Sequence, residues 1–158
     1  MIVWRRLDVP GHEACRLSGQ TLEGTAVLAR PASALSYVVV CDSAWRTLSV
    51  SVQGWIESRR IDISLSSSDL LGCTDIDLNF SPSTNTLPIR RLDLRIGESA
   101  SVTVAWLRFP EMTLEPLQQT YTRAGERTWT YTSDDFRADV EVDGEGLVVT
   151  YEGLWVRA

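Results

Sequence analysis

The sequence predicts an all-β protein, mainly antiparallel, whose sheet curls into a barrel or half-barrel with little helix. Strict alternation of apolar and polar residues recurs along the chain, as in strands with one face on a core and one in water. Helical periodicity is nearly absent. About eleven strand-like segments of ~5–6 residues fit, more than an open twisted sheet carries without curling, splitting or closing.

The first strand is read over Ile2 to Leu7, ahead of the turn-like run Asp8-Val9-Pro10-Gly11-His12-Glu13, which makes His12 a loop residue. Leu22 to Leu28, Ser36 to Cys41 and Arg46 to Gln53 are the next candidates. From Arg59 to Leu65 the alternation is complete: Ile61, Ile63 and Leu65 against Arg60, Asp62 and Ser64. In Asp75 to Phe80, Ile76, Leu78 and Phe80 oppose Asp75, Asp77 and Asn79. A short helical turn is expected at Ser81-Pro82-Ser83-Thr84, because Ser before Pro starts helices. Ser101 to Phe109, Leu117 to Arg123 and Thr128 to Thr132 follow, with a turn at Thr122 to Arg127 between the last two. Phe136, Ala138, Val140 and Val142 alternate with Arg137, Asp139, Glu141 and Asp143, and Asp143-Gly144-Glu145-Gly146 then turns the chain into Leu147 to Tyr151. No linker and no internal repeat interrupts the 158 residues, so one domain over 1–158 is expected.

Composition narrows the chemistry. All 15 basic residues are arginine, and His12 is the single histidine. Schiff-base chemistry, a phosphate-loop lysine and a Ser-Lys dyad are therefore excluded, as are three-histidine zinc centres. No cofactor and no metal is expected. A net charge of −6 argues against nucleic acid as a partner, which needs a basic surface. Cys15, Cys41 and Cys73 are odd in number and far apart, which reads as free thiols. The N-terminus lacks a signal-sequence pattern and no stretch is long and apolar enough for a transmembrane segment, so a cytoplasmic protein is expected. Peripheral membrane contact stays open, and the oligomeric state is not legible.

The densest polar run is Gly72-Cys73-Thr74-Asp75-Ile76-Asp77-Leu78-Asn79, followed by Pro82 to Arg91. Asp75 and Asp77 share one strand face, with carboxylates about 6–7 Å apart by strand rise. Such a pair can work on a glycosidic bond, hydrogen-bond sugar hydroxyls, or simply face solvent with arginine partners. Arg90 and Arg91 point to opposite faces if the segment is extended; either fork can meet a ligand anion or one of these aspartates. Asn85 is either a local cap or an amide contact to a ligand. Among six tryptophans and four tyrosines, Trp129 and Tyr131 share one strand face and form the best local aromatic platform.

The run from Gly72 to Leu78, with Pro82 and Thr84 to Leu92, resembles the signature of the bacterial glycolipid-binding protein family. Further segments are similar to that family: Leu7-Asp8 with Pro10-Gly11 and Glu13, Cys41-Asp42 with Trp45-Arg46-Thr47, Trp106 with Phe109-Pro110, Gln119 with Tyr121, and Gly146-Leu147-Val148 with Tyr151 and Gly153-Leu154-Trp155. Glu152 departs from it, where Pro is expected. The resemblance implies an incompletely closed antiparallel β-barrel, shaped like the bacterial lipoprotein carriers that hold acyl chains in a concave groove. It implies no catalytic residues. The motif residues Asp75, Asp77, Asn85, Arg90 and Arg91 match and would face the ligand.

Residues and resemblance together point to non-enzymatic binding of a lipid or glycolipid in a concave apolar groove, through Asp75, Asp77, Asn85, Arg90, Arg91, Trp129 and Tyr131. The alternative is a hydrolase acting on a sugar or glycolipid through Asp75 and Asp77. A scaffold whose edge strands pair with a partner is a third reading.

Overall fold

A computed structural model describes residues 1–158. Thirteen strands form one sheet: β1 (Ile2–Arg6), β2 (Gly11–Ser18), β3 (Thr21–Ala29), β4 (Ala32–Cys41), β5 (Thr47–Ile56), β6 (Arg59–Ser66), β7 (Ile76–Leu78), β8 (Ser99–Arg108), β9 (Thr113–Arg123), β10 (Thr128–Ser133), β11 (Phe136–Val142), β12 (Val148–Tyr151) and β13 (Trp155–Arg157). Their order is β6-β5-β4-β3-β2-β1-β13-β12-β11-β10-β9-β8-β7, so the terminal strands pair in mid-sheet and β6 and β7 are the edges. Every neighbouring pair is antiparallel except β7 and β8. A parallel pair needs a crossover, and residues 79–98 supply it, with a 3-10 turn (Ser83–Asn85) running into α1 (Thr86–Leu92).

The sheet is not closed by a ladder between β6 and β7, in keeping with the half-barrel reading. Its open side is pinned at two places. Thr47 N donates to Thr74 O at 3.1 Å. Arg59 Nη1 and Nη2 donate to the carbonyls of Glu111 and Pro110.

Alternation sets which face is covered. In β4, Ser33, Leu35, Tyr37, Val39 and Cys41 are buried while Ala32, Ala34 and Ser36 are exposed. Each large apolar side chain so buried contributes about 1.5–3 kcal/mol, and a one-residue slip would expose the whole set, which holds the register. The crossover segment packs on this inner face: Ser81 and Ser83 reach β2 and β4, and Asn85 reaches β9. Part of the concavity is thus filled by the chain itself, and what stays open is a pocket and not a long groove.

Two strands exceed the sequence reading, β2 and β13. His12 lies in β2, exposed, opposite Arg5 and Val27, and not in a loop. The inward positions of β2 include Glu13, and a buried carboxyl hides the alternation. Arg90 and Arg91 are helical and not extended; Pro88 is tolerated in α1 because first-turn N–H groups lack intrahelical partners. Asp143–Gly146 does turn β11 into β12, with Asp143 Oδ1 accepting from Glu145 N and Leu147 N. All three cysteines are free.

Two glycines are demanded by close approach. A Cβ on Gly24 would stand 2.5 Å from Tyr37 Oη, and one on Gly54, at φ +145°, 1.9 Å from Ala34 O.

Candidate functional site

β7 and β8 bring Asp77, Leu78 and Trp106 to one place, and the 3-10 turn adds Asn85. Opposite stand Tyr131 of β10, Phe136 at the start of β11, Tyr151 of β12 and Trp155 of β13. Together they enclose a cavity of about 550 Å³. That volume lies within the usual range of small-molecule sites.

The wall opposite Asp77 is aromatic. The Tyr131 ring stands 6.0 Å from both Phe136 and Tyr151, and Phe136 is 6.4 Å from Tyr151. Tyr121 packs edge-on to Tyr131 at 5.4 Å. Phe136 is 41% exposed, so this cluster opens to solvent.

The polar side is a relay. Asp77 Oδ2 accepts from Gln119 Nε2 at 2.5 Å, Gln119 Oε1 accepts from Tyr121 Oη at 3.4 Å, and Tyr121 Oη accepts from Asn85 Nδ2 at 3.0 Å. Two pocket residues are therefore oriented by two buried side chains of β9, as a preorganised site requires. Burial lifts the Asp77 carboxyl to about 6, with the Gln119 bond pulling it down and the Asp75 charge pushing it further up.

A second buried network adjoins the pocket at Ser81. Glu13 Oε1 accepts from Tyr37 Oη at 2.5 Å and from Ser81 Oγ at 2.6 Å, and Tyr37 Oη lies 2.8 Å from Ser83 Oγ. Burial raises Glu13 to about 8 against the pull of Ser81, Tyr37 and Arg6, so it is a neutral acid at pH 7. Its Oε2 has no partner.

The structure gathers Asp77, Asn85 and Tyr131 and separates the other candidates from them. Asp75 is buried and held by Arg91, through Nη2–Oδ2 at 2.6 Å and Nε–Oδ1 at 3.2 Å. Burial raises the Asp75 carboxyl while Arg91 draws it back. Neither residue lines the pocket. Arg90 stacks on Trp45 at 4.4 Å and donates to Glu145 O, lining a separate polar cavity of about 490 Å³. Trp129 lines that second cavity and not the one under Tyr131. Residues two apart on a strand stand roughly 6.8 Å apart, enough for two rings on one face to open into different spaces. The expected platform of Trp129 and Tyr131 is therefore replaced by Tyr131, Tyr151 and Phe136.

Sequence reading missed Trp106, Phe136, Tyr151 and Trp155 as pocket walls, and Gln119 and Glu13 as polar supports. All but Phe136 lie in segments that carry the family resemblance, but nothing local assigns them to a pocket, because they meet only across the sheet. No three His, Cys, Asp or Glu side chains converge as metal ligands would. No helix is long and apolar enough to cross a membrane.

Comparison with known proteins bears on the family and the fold. A family model described as "Putative glycolipid-binding" matches residues 1–157. A crystal structure of a DUF1089 family protein from Pseudomonas aeruginosa is similar at 28% identity and TM-score 0.83, over 92% of this chain and 91% of that one. No curated protein matches the chain.

Proposed function

Since this chain belongs to the glycolipid-binding family just matched, we propose that it is a non-enzymatic binding protein for a lipid or glycolipid, and that the cavity beside Asp77 is its site. The observation that carries the reading is the pocket's division into an aromatic wall and a polar side. Tyr131, Phe136 and Tyr151 offer rings to an acyl chain or to the C–H face of a sugar. Asp77 and Asn85, held by the β9 relay, offer oxygen and amide groups to hydroxyls.

In this reading Asp75 and Arg91 brace the sheet below the site, and Arg90 and Trp129 act elsewhere. The glycosidase alternative requires two carboxylates flanking one bond. Asp75 is tied to Arg91 and lies outside the pocket of Asp77, so that pair lacks its common space. We place the protein in the cytoplasm, a reading supported by its three free cysteines.

Native mass spectrometry of protein purified from its own host tests the proposal. An amphiphile that co-purifies with the wild type and is lost in Tyr151→Ala supports it. An empty protein that also binds no member of a lipid and glycolipid panel refutes it.

A further inference from the structure

We propose that this pocket selects an uncharged, polyhydroxylated head group, a neutral glycosyl unit, and discriminates against amphiphiles with anionic heads. The inference rests on the pocket being the binding site, as argued above, and adds the chemical class of what it admits.

The first support is charge. The lining holds three aspartates, Asp77, Asp134 and Asp135, and no arginine or histidine. Arginines do lie behind its walls, but each faces carboxylates. Arg6, 5.2 Å from the Trp155 ring, is bound by Asp8 at 2.6 and 3.0 Å. Arg108, over Trp106 at 5.6 Å, faces Glu111 and Glu115 at 3.6 and 4.0 Å. Arg91 is taken by Asp75. A phosphate or sulfate would thus enter beside carboxylates with no guanidinium on the lining to receive it.

The second support is hydrogen-bond valence. Asn85 is only 8% exposed, and its single side-chain bond is the one Nδ2 donates to Tyr121, so Oδ1 accepts nothing. Asp77 Oδ1 is likewise free, since Gln119 engages Oδ2. Those two oxygens ask for donors, while Tyr131, Tyr151, Ser133, Trp106 and Trp155 bring hydroxyl and indole groups that can donate, so the lining presents open valences of both kinds. Sugar hydroxyls donate and accept and so match both kinds, whereas an ionised phosphate or sulfate has no proton to give Asn85 Oδ1 or Asp77 Oδ1. A quaternary ammonium head satisfies the charge but offers no N–H or O–H to these acceptors.

The test compares n-decyl β-maltoside, decyl sulfate and decyltrimethylammonium, equal in chain length, each below its micelle concentration. Titration calorimetry is run with the wild type, Ser133→Trp, which fills the pocket mouth, and D134N/D135N, whose changes lie at exposed positions. The maltoside is expected to bind about tenfold or more tightly than either charged probe, as charge and unmet acceptors predict. S133W abolishes that binding, and D134N/D135N narrows the gap to decyl sulfate severalfold. A charged probe that equals or exceeds the maltoside overturns the head-group inference and leaves the pocket standing. An unchanged gap in D134N/D135N overturns its electrostatic basis. Maltoside binding untouched by S133W, or no binding of any probe, overturns the pocket reading and this inference with it.

Discussion

Replacing Glu13 with Gln should remove most of the pH dependence of stability between about pH 6 and pH 8. Glu13 is 1% exposed and its carboxyl stands near 8 in the fold, against an ordinary 4.5. Between those values the folded protein holds a proton that the unfolded chain has released. Stability therefore falls as pH rises, by about 1.4 kcal/mol per pH unit, and levels off above the folded value. Two units amount to roughly 2–3 kcal/mol, a large share of a total of about 5–15. Asp77 contributes with the same sign, but its window ends near 6, and the thiols of Cys15 and Cys41, raised from 9.0 to about 12, act only above 9. In E13Q the amide oxygen still accepts from Tyr37 and Ser81, while its NH2 takes the place of the partnerless Oε2, costing about 1–3 kcal/mol. The variant should be less stable than wild type near pH 6 and equal or more stable near pH 8. Urea unfolding followed by tryptophan fluorescence at three pH values measures this. A wild-type stability flat to within about 0.5 kcal/mol, or an E13Q profile parallel to it, refutes the reasoning.

Arg91→Met strands the buried Asp75 carboxylate and should cost about 3 kcal/mol in the same assay, with D75N/R91M recovering part of it; a loss under about 0.5 kcal/mol contradicts the brace role. Gly54→Ala drives a methyl into Ala34 O at a backbone angle that L-residues avoid, and should lower stability by about 2–4 kcal/mol, read as a fall in Tm. Asp77 faces Gln119, Tyr121, Tyr131, Tyr151 and the Asp75 charge, and below about pH 6 it becomes a neutral acid. Decyl sulfate binding should therefore strengthen as pH drops from 7.5 to 5, and D77N should flatten that dependence; parallel curves for the two proteins would falsify the assignment.

Much of the fold is legible residue by residue. Phe136 to Val142 and Arg59 to Leu65 alternate without a fault, and both are strands in the expected phase, with β6 one residue longer. Legibility fails where an inward position carries a polar group. Glu13 breaks the pattern of β2, because its burial is compensated by Tyr37 and Ser81, residues 24 and 68 positions away. It also fails at α1, where seven residues show too little periodicity to betray a helix and Arg90 and Arg91 read as extended. In the site, Asp77, Asn85 and Tyr131 were visible as chemically apt residues. Their convergence was not, since the aromatic walls come from four other strands and turns.

The sequence by itself determined a β-rich chain with one wetted and one apolar face per strand, because side-chain period is a local property of the backbone. It also determined the reactions closed to it, through the absence of lysine and the lone histidine. Tertiary structure decided which aspartate is a brace and which lines a pocket. Asp75 and Asp77 are near neighbours in the chain, yet one meets Arg91 on α1 and the other Gln119 on β9. Partner choice of that kind depends on how distant elements pack over a curled sheet, and no local pattern encodes it.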